Sequence, residues 1–288
     1  MKFTTYLRDG APRLALVDGS DLIDLNDANA KTPSDLRLAL KAGVDLQAAG
    51  AAALKDKARR VPLGSVTLAP LVPEPGKIVC LGLNYYDHAK EGGREKPDYP
   101  WFFFRAASSL VAHGEPGLLP LVSSKFDYEA ELAVVIGKTV PRHTKQADAL
   151  QYVFGYSCFN DMSVRDYQKR TPQWTIGKNF DATGGFGPHL VTADELAPGA
   201  TGLRIRSLLN GKVMQDANTD DMIFSVAETI ALLADVLTLE PGDVIVMGTP
   251  AGVGQARTPP VWMKAGDTIV IDIEKVGALS NPIVAEAA

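Results

Sequence analysis

DYEAELAVVIG, residues 127–137, is the stretch from which the fold can be read. Its second half is an apolar run of one strand's length, and its first half alternates. A strand period of two sends Glu129 and Glu131 to the same face. The same strand composition recurs in KIVCLG (77–82), GPHLVT (187–192), LRIRSLLNG (203–211), DVIVMG (243–248) and TIVIDIEKVG (268–277), with glycine and proline turns between them. Helical periodicity is rarer. It is clearest over 223–238, where Val226, Ile230, Leu233 and Leu237 share a face, and a second helix is expected over about 145–154. Many strands with occasional helices imply a β-rich α+β domain with a rolled or barrel-like sheet rather than regular βαβ winding.

The first seventy residues read as a small α/β unit. Asp-Gly turns at 9–10 and 18–19 punctuate short alternating segments, Ser34 suits the N-cap of a helix that Gly43 ends, and a second helix is expected over 46–59. The basic residues Lys55, Lys57, Arg59 and Arg60 there read as a solvated face. APLVPEPG (69–76) holds three prolines and a glycine, which neither a helix nor a central strand accommodates. The boundary is therefore placed there, giving domains 1–70 and 71–288.

At 288 residues, with 46% hydrophobic and 22% charged residues, the chain is long and apolar enough to fold around a concave site. A net charge of −5 argues against a nucleic-acid or anionic-lipid surface and leaves a small molecule as the default partner. No run approaches the roughly 18 apolar residues that cross a bilayer, and the start lacks the apolar core of a signal peptide. A cytoplasmic protein is expected, with Cys80 and Cys158 reduced and buried in apolar runs. GTPAGVG lacks the Lys-Ser/Thr of a phosphate-binding loop.

Glu129 and Glu131 on one face repel unless a cation lies between them, and all-oxygen ligation suits Mg²⁺, Mn²⁺ or Ca²⁺ better than zinc. The same pattern also suits a solvent-facing strand whose glutamates keep an edge soluble. Asp161, after the apolar run YVFGYSCFN, offers a third carboxylate or else the N-cap of a short helix, MSVRDYQ. His88 and Glu91 stand at i and i+3 on a predicted helical turn, where a carboxylate can orient an imidazole as general base; an exposed salt-linked pair is the alternative. Lys178 in IGKNFD reads as a donor to an anionic oxygen or as a surface lysine, and Thr249 opens a loop of small residues. Trp101 to Phe104 suit an apolar pocket wall or the core.

GLNYYDHAKE, DYEAELAVVIGK, FNDMSVRDYQ, IGKNFD, LEPGDVIVMGTPAGVG and AGDTIVIDIEKVG occur in the order seen in fumarylacetoacetate hydrolase family proteins, and residues 75 to 283 resemble that family. The resemblance implies a mixed β-roll C-terminal domain that forms homodimers. It implies Mg²⁺ or Mn²⁺ bound by Glu129, Glu131 and Asp161, with Ca²⁺ as a substitute, and a His88–Glu91 dyad on a lid-like segment. Arg165, Gln168, Lys178 and Thr249 fall on substrate-contacting positions. Arg105, also expected to contact substrate, stands where many relatives have the lysine of a lysine-proline pair, and Asp87 is near the place of a further aspartate ligand. The implied substrate is a 2-oxo or 2,4-dioxo acid. The expected reaction is hydrolysis of a C–C bond, in aromatic catabolism, by water that His88 activates, with Lys178 and Gln168 donating to the developing oxyanion. Decarboxylation of an oxaloacetate-type acid, isomerisation of 2-hydroxyhepta-2,4-diene-1,7-dioate and metal-dependent binding without catalysis are the alternatives.

Overall fold

The computed structural model describes residues 1–55 and 60–287. Residues 130–136 form a strand buried along its whole length, because both of its faces are covered. Leu132, Val134 and Ile136 enter one apolar cluster with Ile205, Ile271, Ile273 and Leu279, while Ala133 and Val135 enter another with Phe3, Phe159, Phe186 and Val246. This double burial accounts for the unbroken apolar run in the sequence.

The strand lies within a large mixed sheet. On one side it pairs antiparallel with Val153–Asp161, which pairs in turn with Gly184–Thr192. On the other side it pairs with Val244–Val246, then come Ile78–Gly82, parallel to it, and Trp101–Arg105 at the edge. Lys2–Arg8 pairs with Gly184–Thr192, so the N-terminal strands Ala11–Asp18, Asp21–Asp24 and Arg60–Pro62 extend the same sheet. A five-stranded sheet, ordered Lys212–Asn218, Arg204–Leu209, Thr268–Ile273, Gly277–Ala285, Gly117–Leu119, packs across the first cluster and closes the roll. The fold is α+β, with a β-rich rolled sheet and few helices.

Local details refine the sequence reading. Asp35, one residue after the expected Ser34, caps Leu36–Lys41; its carboxylate accepts the Leu38 N–H at 2.8 Å, and the helix stops before Gly43, whose φ is +69°. The helix expected over 46–59 is seen as Leu46–Lys55, and Lys57 and Arg59 lie outside the described residues. The helix expected over 223–238 is Val226–Ala234, started by Ser225. That expected over 145–154 is shorter, because its C-terminal end joins the strand beginning at Val153. The proline-rich 69–76 segment has no regular structure, yet Leu71 and Val72 are buried in the second cluster.

Candidate active site

Strand ends bring the acids together. Glu131 lies opposite Phe159 across the ladder, so Asp161, two residues on, shares its face; the Asp161 N–H also donates to the Glu129 carbonyl at 3.1 Å. One oxygen from each of Glu129, Glu131 and Asp161 lies within 4.8 Å of the others, and all three residues are buried. Asp161 ends its strand, and Val164 precedes the helix Arg165–Gln168, so Asp161 is not that helix's N-cap. The soluble-edge reading of the glutamates also fails, because both are buried, Glu131 in a central strand and Glu129 just before it.

Two short helices supply the opposing charge. Thr175–Lys178 buries Lys178, whose Nζ lies 2.6 Å from both Glu129 Oε2 and Asp161 Oδ2. Arg165 Nη2 lies 2.7 Å from Glu129 Oε1, and its Nε donates to Asp127 Oδ2 at 2.8 Å. The helices approach closely because Gly177 has no side chain: a Cβ there would sit 2.3 Å from the Gln168 nitrogen. Burial alone would raise the pKa of Glu129, but the Arg165 and Lys178 charges outweigh it and hold the carboxyl at about 2. Burial likewise works against the Lys178 charge, yet Asp161 and Glu129 raise its pKa, so this residue is an ammonium donor and not a base.

Glu131 is different. Its Oε2 accepts the Gly248 N–H at 2.6 Å, but among the described residues no cation pairs with it. Burial, joined by the charges of Asp161 and Glu129, pushes its carboxyl well above the ordinary range. A buried carboxylate that lacks a counter-charge, in an all-oxygen set of three, fits a divalent cation of the Mg²⁺ or Mn²⁺ kind.

Glu129 and Glu131 open onto a cleft of about 330 Å³, with Asp161 buried beside them. His88 and Glu91 line it from the helix Tyr86–Glu91; His88 Nδ1 lies 2.7 Å from Glu91 Oε1, and Glu91 Oε2 accepts the Gly252 N–H at 2.8 Å. The second bond ties this helix to the loop after Thr249. Glu129, Glu131, Arg165, Gln168, Lys178 and Thr249 line the same cleft, as does Phe103 from the aromatic strand. The Thr249 hydroxyl is already engaged, donating to the Ala130 carbonyl at 2.9 Å and accepting from Gln215 Nε2 at 2.7 Å, so it holds the wall.

Arg105, expected to contact substrate, does not line the cleft. Its fully buried guanidinium pairs with Asp161 Oδ1 and donates to Thr183 Oγ1 at 3.0 Å, so it lies behind the carboxylates and not in the cleft. Asp87 is exposed on its helix and, among the described residues, joins no acidic cluster. Asp127 was not anticipated: fully buried, it accepts from the Gly254 and Gln255 N–H groups and from Arg165, fastening the 254–256 loop to the cleft floor. It shares the i, i+2 parity of Glu129 and Glu131, which was the available signal. Cys80 and Cys158 are free and buried.

The chain belongs to the fumarylacetoacetate hydrolase family, whose Fumarylacetoacetate (FAA) hydrolase C-terminal model matches residues 77–284. It is 40% identical over 274 residues to the mitochondrial oxaloacetate tautomerase fahd2 of Xenopus laevis, covering 94% of this chain and 85% of that protein. Among solved structures, it resembles fumarylacetoacetate hydrolase from Exiguobacterium antarcticum with TM-score 0.85 and 33% identity, covering 99% of this chain and all of that one. It also resembles maleylpyruvate hydrolase from Sphingobium sp. SYK-6 in complex with manganese(II) and pyruvate, with TM-score 0.83 and 31% identity over the full length of both chains. Among the described residues, no helix is long and apolar enough to cross a membrane.

Proposed function

We propose that this family member is a divalent-metal-dependent tautomerase of an oxaloacetate-type 2-oxo acid, moving a proton between the carbon beside the 2-oxo group and its oxygen. One observation carries this reading. A carboxylate-bound ammonium, Lys178, and a carboxylate-oriented imidazole, His88, line the same small cleft beside an acidic triad. The kinship with the Xenopus tautomerase favours this reaction over the C–C hydrolysis expected from the sequence.

Glu129, Glu131 and Asp161 would hold Mg²⁺ or Mn²⁺, which supplies Lewis acidity that makes a C–H beside the 2-oxo group easier to ionise. The Nδ1–H of His88 donates to Glu91, which leaves Nε2 as the base. It takes the C3 proton while the C–H electron pair becomes the C2–C3 double bond. Charge then grows on the 2-oxygen, toward which the Lys178 ammonium can donate, and return of the proton to that oxygen gives the enol. The reverse path uses the same groups. Burial of the ammonium in a water-poor floor strengthens this interaction.

Hydrolysis of a 2,4-dioxo acid is the second reading, favoured by the likeness to maleylpyruvate hydrolase; there His88 would take its proton from water. We place the protein in the cytosol, a reading that the two free thiols support, and take it to be a homodimer, supported by the exposed apolar side chains of Phe104, Leu121 and Val122.

The deciding experiment follows enol absorbance of oxaloacetate and of acetylpyruvate with and without Mg²⁺ or Mn²⁺, with products identified. Metal-dependent enol–keto exchange of oxaloacetate with no carbon lost is the expected result. Pyruvate and acetate from acetylpyruvate would replace it with the hydrolase, and CO₂ from oxaloacetate with the decarboxylase.

A further inference from the structure

The cations that line the cleft differ in what they already hold. Arg165 is paired with Asp127 and Glu129, Lys178 with Glu129 and Asp161, and His88 with Glu91. Arg94 and Lys169 also line the cleft, and among the described residues neither has a carboxylate partner. Lys169 is an exposed side chain without a platform. Arg94 has one: its guanidinium lies over the Trp101 ring, 4.7 Å from the centroid, and Trp101 packs on Trp174 at 5.4 Å. Trp174 in turn lies against the cleft wall at Gly82, where a Cβ would sit 2.1 Å from the indole. The aromatic shelf leaves the edge of the guanidinium fork available, because stacking occupies only its face.

We infer that Arg94 is a specificity-determining residue that binds the distal carboxylate of a dicarboxylic 2-oxo or 2-hydroxy acid at the cleft mouth. The inference rests on the proposed 2-oxo acid reading, in which the first carboxylate and its neighbouring oxygen sit at the acidic floor. A second carboxylate then needs a cation not already neutralised, and a planar fork matches its geometry. Arg94 follows the His88–Glu91 helix by three residues, which places it at the same side of the cleft as the proposed base. A monocarboxylic acid makes no such contact.

Malate and lactate test this, since they differ only by a carboxylate in place of a hydrogen. Calorimetric titration of the Mg²⁺-loaded protein should show malate bound more tightly than lactate. Arg94→Gln should weaken malate about ten- to hundredfold, the worth of a charge-assisted hydrogen bond, and leave lactate unchanged. Arg94→Lys should retain part of the preference, and Lys169→Gln nearly all of it. Arg94 is exposed and has no carboxylate partner among the described residues, so an unchanged melting temperature is expected for each variant. Equal weakening of both acids, unaltered malate binding in Arg94→Gln, or a wild type indifferent to the extra carboxylate would overturn the inference. Oxaloacetate tautomerisation by the same wild-type sample separates the two failures: if it persists, only the role of Arg94 falls, and if it is absent the reaction reading falls as well.

Discussion

The floor and the mouth of the cleft are built on opposite plans. At the floor, charges are buried on strand ends and two short helices, and Arg105, Arg165 and Lys178 are all bound to carboxylates, leaving Glu131 without a counter-charge. At the mouth, His88, Glu91 and Arg94 stand on a six-residue helix and the chain just after it, held by the bond from Glu91 to Gly252, by the buried Ala89 and by an aromatic shelf. A floor of interlocked ion pairs has stability tied to its chemistry, because removing one partner strands another in a dry interior. A mouth of partly exposed groups can change its chemistry at less cost to the fold.

Breaking the floor should have the largest effects. Glu131→Gln should abolish high-affinity Mn²⁺ binding by calorimetry and lower turnover by about a thousandfold or more, the several kcal/mol that a Lewis acid contributes. Its metal-free melting temperature should stay level or rise, since the amide removes the carboxylate that lacks a counter-ion. Lys178→Met should cost about a hundred- to thousandfold in turnover and also destabilise the protein by about 3 kcal/mol in urea, because Glu129 and Asp161 lose their bridge. If Lys178→Met proves as stable as wild type, the contrast between floor and mouth is wrong.

The mouth gives the complementary result. His88→Gln should lower turnover by about a hundredfold while the urea midpoint and Mn²⁺ affinity stay where they were. A loss of stability there would show that the helix is part of the core.

The smallest effect sharpens the role of Glu131. Its folded-state pKa is raised above the ordinary 4.5, so the folded protein holds this proton more tightly than the unfolded chain does. That contribution is complete below the unfolded value and is lost as pH rises through the raised one. The metal-free protein should therefore lose part of its melting temperature as pH is raised above the ordinary carboxyl range. Glu131→Gln should flatten this segment of the curve.

Relations set by local spacing were legible in the sequence, and those set by distant partners were not. Strand parity is rigid, so the shared face of Glu129 and Glu131 follows from spacing alone, and the apolar run before Asp161 marks where the neighbouring strand ends. The i, i+3 relation of His88 and Glu91 is equally local. Arg105 and Thr249 show the limit: each is polar beside the cleft, but whether its donors face substrate or protein depends on Asp161, Thr183 and Ala130, which are distant in sequence. Arg94 carried no signal, since its meaning comes from two indole rings brought together by folding. Ser34 and Asp35 differ only in which of two good capping residues the backbone places at the helix entrance.

The pairing of Lys2–Arg8 with Gly184–Thr192 governs how the chain can be assembled. Lys2–Arg8 finds this neighbour only after some 180 further residues have been made. Loop closure on that scale delays the pairing, and the topology as a whole carries a high contact order. Until then the apolar residues Phe3, Leu14 and Leu16, which end in the core, wait exposed on an unpaired edge. Such an intermediate is a natural client for a chaperone and the stage at which a nascent chain is most prone to aggregate.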